Sequence, residues 1–111
     1  MYLQAKRCAS REKSNEVEKA YAVTEELLQM RANIADDYDD YIYLGFALAD
    51  GLGIYGREIY HLLCSQSTKY DKDECDKQWQ NCLVSHNGGR TIATFYDMAK
   101  RAGVKLAEKY S

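Results

Sequence analysis

Lys69 to Cys82 reads KYDKDECDKQWQNC and carries the only tryptophan of the chain. Asp71, followed three residues later by Glu74, has capping-box spacing and predicts a helix start. At 3.6 residues per turn Cys75, Trp79, Cys82 and His86 fall on one narrow stripe with Leu83 beside it. Asp73, Asp76, Lys77 and Gln80 point away from that stripe. A tryptophan brings the largest apolar payload of any side chain, and this one sits mid-helix on the face to be buried. The expectation is a helix against which the others pack.

Working outward toward the C-terminus, Asn87-Gly88-Gly89 is the strongest turn signal in the chain. Thr91-Ile92 is expected to be briefly extended, and Thr91 or Thr94 to cap a last helix, ATFYDMAKRA. Phe95, Met98, Ala99 and Ala102 face inward there. Gly103 closes the helix, and Val104 stands where a Schellman turn wants an apolar contact. Leu106 to Ser111 adds a final loose turn.

Toward the N-terminus, Ser65 to Thr68 leads out of a short helix, GREIYHLLCS, with Ile59, Tyr60, Leu62 and Leu63 at helical spacing. Before it, Asp37 and Asp40 have capping-box spacing at the head of DDYDDYIYLGFALADGLG, where acidic groups suit a helix N-terminus. Tyr41, Leu44, Gly45 and Leu48 share a face that Ile42, Phe46 and Ala49 widen, the arc of a helix buried on most sides. Gly45 predicts a close helix crossing, and Gly51 and Gly53 predict left-handed caps. Earlier still, Ser14 or Asn15 caps NEVEKAYAVTEELLQM, in which Val17, Ala20, Tyr21, Thr24, Leu27, Leu28 and Met30 follow helical spacing. That helix is expected to stop near Ala32, with Asn33-Ile34-Ala35 turning the chain. Residues 1–13, MYLQAKRCASREK, read as a flexible basic tail or linker, and 14–111 as a single domain.

The 111 residues suffice for one core but not two. Hydrophobic residues make up 46% and charged residues 29%, which argues for a folded globule over a disordered chain. Ten tyrosines suit a small domain whose core lies near its surface, and the absence of proline favours uninterrupted helices. The fold class is all-α, a small orthogonal bundle of about five helices. A net charge of −2 excludes the global basic field of a dedicated nucleic-acid binder. No apolar run has the length of a membrane span, and Cys8, Cys64, Cys75 and Cys82 lack the spacing of a secreted disulfide framework, so a reducing, cytoplasmic setting is expected.

Catalytic and metal chemistry finds little purchase. Cys75 and Cys82, seven apart, are separated by about 10.5 Å along a helix. Two thiolates on one zinc lie only about 3.8 Å apart, so these cannot share an ion. Cys82 and His86 alone do not make a structural site. Asp36, Asp37, Asp39 and Asp40 lack the pattern of a calcium loop. Cys64 and His61 have no identifiable orienting group, and Gly88-Gly89 is no phosphate loop. No cofactor and no catalytic residue is expected. The basic residues Lys69, Arg90, Lys100, Arg101 and Lys105 are candidates for phosphate contacts, with Tyr70 and Tyr96 as candidate stacking partners for a base.

Five stretches in order carry a resemblance. They are Asp37-Tyr38-Asp39-Asp40-Tyr41, Leu44-Gly45-Phe46-Ala47-Leu48, Ser67-Thr68-Lys69-Tyr70-Asp71, Cys75 through Trp79, and Gly89-Arg90-Thr91-Ile92-Ala93-Thr94-Phe95-Tyr96 running on to Ala102-Gly103-Val104. Together, over roughly Ile34 to Val104, the chain resembles the primase C-terminal domain family of the second type. It departs from the family at Tyr41 or Ile42 and at Leu63-Cys64, where tryptophan is usual, apolar exchanges that fit the same packing. The resemblance implies an all-helical accessory module of phage, plasmid or mobile-element replication proteins, with the polymerising carboxylates in another domain. It would help hold single-stranded or primer-template DNA, or the initiating nucleotide, beside the primase or helicase domain of the same parent protein. The alternative is a protein-interaction module that docks a neighbouring domain or subunit without nucleic-acid affinity. Clustered cations on one face with the acidic cluster opposite favour the first; intermixed charges around an apolar patch favour the second.

Overall fold

A computed structural model of the chain describes residues 11–85 and 90–109. Cys8, His86 and the Asn87-Gly88-Gly89 turn lie outside the described residues, as does most of the expected N-terminal tail. The described residues form five α-helices and no strand: α1 (Arg11–Gln29), α2 (Tyr38–Leu52), α3 (Arg57–Cys64), α4 (Lys72–Val84) and α5 (Ile92–Arg101). A 3-10 turn, Gly53–Gly56, joins α2 to α3, and a second, Leu106–Lys109, follows α5. The all-α bundle expected from the periodicity is the fold. Helix α1 begins at Arg11, earlier than the Ser14 or Asn15 cap expected for it.

The helix at the centre is α2, not the tryptophan helix. It packs against each of the other four, whereas α4 packs mainly on α2 and α3. The physical reason is the width of the apolar arc. In α2 Leu44, Gly45, Ala47, Leu48 and Leu52 are all buried, so neighbours surround it. Helix α4 buries only Cys75, Trp79 and Cys82 and turns its charged side chains to water. Trp79 lies 1% exposed, its ring centroid 5.6 Å from that of Tyr60. Tyr60 in turn stacks on Tyr41 at 5.5 Å and donates its hydroxyl to the Tyr41 carbonyl at 2.9 Å.

Gly45 marks the close crossing its position suggested. A Cβ there would fall 2.6 Å from Cys82 Sγ and 3.2 Å from the Tyr60 ring. Gly53 caps α2 with a φ of 58° that favours glycine, but its ψ of −139° is not the left-handed helical cap expected, and Gly51 is not a cap. It sits inside α2, and a Cβ would fall 2.5 Å from Ile92, so it lets α5 approach the helix.

Helix termini follow local chemistry in part. The Asp71 carboxylate accepts from the backbone N–H of Asp73 (3.0 Å) and Glu74 (3.1 Å), the N-cap predicted from DKDE. Asp37 and Thr91 occupy N-cap positions, but neither side chain makes a cap bond. At the end of α5, Gly103 (φ 109°) donates to Lys100 and Val104 to Ala99, the paired bonds of a Schellman motif, with Val104 buried. Helix α1 closes the same way through Arg31, whose φ of 56° is left-handed without a glycine. Replacing Asp71 by alanine is expected to cost about 1 kcal/mol in urea denaturation, and Asp71→Asn to cost much less.

Candidate functional site

The seven residues expected to touch nucleic acid do not share one face. Helices α2 and α5 run antiparallel, because Ile92 meets Gly51 at one end and Arg101 shares a small hollow with Asp40 and Ile34 at the other. Arg90 therefore stands at one end of α5, and Lys100, Arg101 and Lys105 at the other. The Arg90 guanidinium lies 3.7 Å from the centroid of the Tyr43 ring, a cation–π contact on α2. Arg101 pairs with Asp97 at 2.9 Å, and the Lys105 backbone N–H donates to Glu26 at 3.4 Å. Lys69 lies apart from these, 3.7 Å from the Asp36 carboxylate and bonded to the Asp36 carbonyl at 3.1 Å.

Tyr96 is a correction. It is 2% exposed, and its hydroxyl donates to Glu16 of α1, so the ring belongs to the core and offers no face to a base. The inward positions Phe95, Met98 and Ala99 were legible from spacing. Tyr96, one position on from Phe95, is buried because α1 covers that flank of α5, and nothing within α5 announces it. Met30, expected on the buried stripe of α1, is 42% exposed beyond the helix end.

Tyr70 belongs to a chain of polar contacts that strings three segments together. Its hydroxyl meets His61 Nδ1 at 2.8 Å, His61 Nε2 meets Asp76 at 3.1 Å, and Arg57 Nε donates to the same Asp76 oxygen at 2.6 Å. His61 thus has the orienting groups that the sequence did not reveal, since Asp76 comes from the next helix. Both ring nitrogens are engaged, which leaves neither for Cys64 and removes a cysteine–histidine pair from consideration. Arg57 and then His61 hold the Asp76 carboxyl below its ordinary value of 3.8. A carboxyl depressed by folding stabilises the fold above its unfolded pKa, and that contribution is lost as pH falls through the folded value. Asp76→Asn should therefore lower the urea midpoint near neutral pH, and the difference should shrink as pH falls below 3.8 through the depressed folded value.

One concavity of the described residues is a cleft of about 270 Å³. It opens where the turn before α2, the Ser67–Asp71 loop and the first turn of α4 meet. Tyr38, Tyr41 and Tyr70 supply aromatic walls, and Cys64 and Cys75 form part of the floor. The two thiols are buried; their mutual interaction, with burial, pushes Cys64 up, while the same interaction pulls Cys75 down. The mouth is acidic. Asp36, Asp71 and Glu74 line it against a single cation, Lys69. Asp36 is held low by Ser67, which donates at 3.0 Å, and by Asn33 and Lys69. The Asp37–Tyr41 and Ser67–Asp71 stretches, some thirty residues apart in the chain, meet at this cleft. Sequence reasoning named their motifs but not their convergence, because no local pattern records it.

Among the described residues no three His, Cys, Asp or Glu side chains converge to hold a metal ion, and no helix is long and apolar enough to cross a membrane. The family model for primase C terminal 2 matches residues 23–99, which reaches back into α1 beyond the stretch from Ile34 that carried the resemblance. A protein named "Putative helicase 184R" from Invertebrate iridescent virus 6 is 33% identical over 104 residues, covering 87% of this chain. The alignment takes in 10% of that viral protein, so the chain spans about a tenth of the relative's length. No solved structure matches the chain.

Proposed function

This chain belongs to the primase C terminal 2 family, and we propose that it is a non-catalytic module of a replication protein that docks a neighbouring domain or subunit of a primase or helicase. The observation that carries this reading is the intermixing of charge. Asp76 lies between Arg57 and His61, Asp36 beside Lys69, Asp97 beside Arg101, and the cleft has an acidic mouth. A phosphate backbone approaching Lys69 and Tyr70 would meet Asp36, Asp71 and Glu74 first and be repelled. Protein partners tolerate such a surface, because mixed charge sets register and excludes wrong partners.

A second reading rests on a separate feature. Lys100, Arg101 and Lys105 are all exposed at the C-terminal end of α5, although Arg101 also pairs with Asp97. Contact with template DNA or the initiating nucleotide would be confined to this end. Fluorescence anisotropy with labelled single-stranded and primer-template DNA across a salt series separates the two. The docking reading expects no saturable binding near physiological salt. Binding that falls with log salt at a slope of about −2 or steeper, and flattens in Lys100→Ala, Arg101→Ala, Lys105→Ala, would replace it with template handling. Cross-linking of the longer replication protein is the positive arm, with links expected between the cleft face and a separate domain.

A further inference from the structure

We propose that the cleft between Tyr38, Tyr70 and Glu74 receives an arginine side chain from the docked partner, an inference that rests on the docking reading above. Four features of the site select a guanidinium. The cleft, about 270 Å³, lies just below the roughly 300–1,000 Å³ of small-molecule sites, a size for one side chain rather than a cofactor. Its walls are tyrosine rings, and Tyr38 at the mouth is 70% exposed, 6.4 Å from Tyr41, with its face open to a planar cation. Guanidinium stacks on such faces and tyrosine attracts it through the ring quadrupole.

The carboxylates differ in how far they are already used. Asp36 is bonded to Ser67 and faces Lys69, and one oxygen of Asp71 caps α4. Glu74 accepts no side-chain hydrogen bond among the described residues, which leaves both its oxygens for a bidentate partner. The balance of Asp36, Asp71 and Glu74 against Lys69 is negative, so the site attracts a cation and rejects phosphate. The floor, built from Ala35, Cys64 and Cys75, is apolar and suits the methylene stem that an arginine lays along such surfaces. A lysine would satisfy the charge but forgo the stacking and the fork.

The test is a titration of the isotope-labelled chain with N-acetyl-arginine methylamide, its citrulline counterpart and its lysine counterpart, followed by backbone amide shifts. Saturable shifts confined to the segments around Tyr38, Tyr70 and Glu74 are expected for arginine. Citrulline, which keeps the shape without the charge, should bind roughly tenfold more weakly or not at all. Glu74→Gln and Tyr38→Ala alter exposed side chains and should each weaken arginine several-fold, with the urea midpoint unchanged. Scattered, non-saturating shifts, or equal binding of citrulline, would overturn the proposal. In the longer protein, cross-links retained by the Glu74→Gln, Tyr38→Ala double variant would sink the arginine pocket and leave docking standing. Cross-links missing from the unmodified protein would sink docking itself, whatever the arginine analogue does.

Discussion

Trp79→Ala is expected to remove a large share of the stability of the fold. The indole is 1% exposed and packs on Tyr60, and a Cβ on Gly56 would come within 2.9 Å of its ring, so the pocket is built to its outline. Tryptophan-to-alanine changes in cores cost about 3–5 kcal/mol, through lost transfer energy and the cavity left behind. A domain of this length has only about 5–15 kcal/mol in total. The urea midpoint should fall by roughly 2 M, read by far-ultraviolet circular dichroism because the variant has no tryptophan fluorescence. Trp79→Phe keeps a ring in the pocket and should lose about half as much. A midpoint unchanged in Trp79→Ala would mean that α4 is not anchored through this side chain.

Gly45→Ala is the second large effect, and its sign opposes helix propensity. In an open helix the change would add roughly 1 kcal/mol of stability. Here the new methyl would sit 2.6 Å from Cys82 Sγ, and the Tyr60 ring, at 3.2 Å, blocks the way out. Tyr60 cannot yield easily, since it is wedged between Tyr41 and Trp79 and bonded to the Tyr41 carbonyl. Overpacking of this kind costs about 1–3 kcal/mol. Cys82→Ala removes the sulfur, so the cost of Gly45→Ala should shrink by about 1 kcal/mol or more in that background. If the two changes add without coupling, the contact at the α2–α4 crossing is not what limits position 45.

Both predictions concern the same column of groups, Gly45, Tyr60, Trp79 and Cys82, which holds α2, α3 and α4 in register. That register is what brings the Asp37–Tyr41 stretch beside the Ser67–Asp71 loop. The cleft is therefore a consequence of core packing, and variants that disturb the column should also disturb the binding of the arginine analogue. Variants at its mouth, such as Glu74→Gln, should leave stability alone. This asymmetry separates the residues that build the site from those that would use it.

The sequence by itself determined the five helices, most of their inward faces, the Asp71 cap, the Schellman turn at Gly103 and the family to which the chain belongs. Each of these rests on interactions within a few residues along the chain: a 3.6-residue period, a side chain reaching its own third or fourth neighbour, a glycine free to turn left-handed. The tertiary structure alone decided that α2 and not α4 is central, that Tyr96 is buried against α1, that Gly51 is a contact point and not a cap, and that Asp76 orients His61. It also set the expected cations apart, with Lys69 beside Asp36, Arg90 over Tyr43, and Lys100, Arg101 and Lys105 at the other end of α5. Those outcomes depend on which apolar face meets which, a choice made by the summed burial of all the helices together. A helical period records that a face must be covered; it does not record by what.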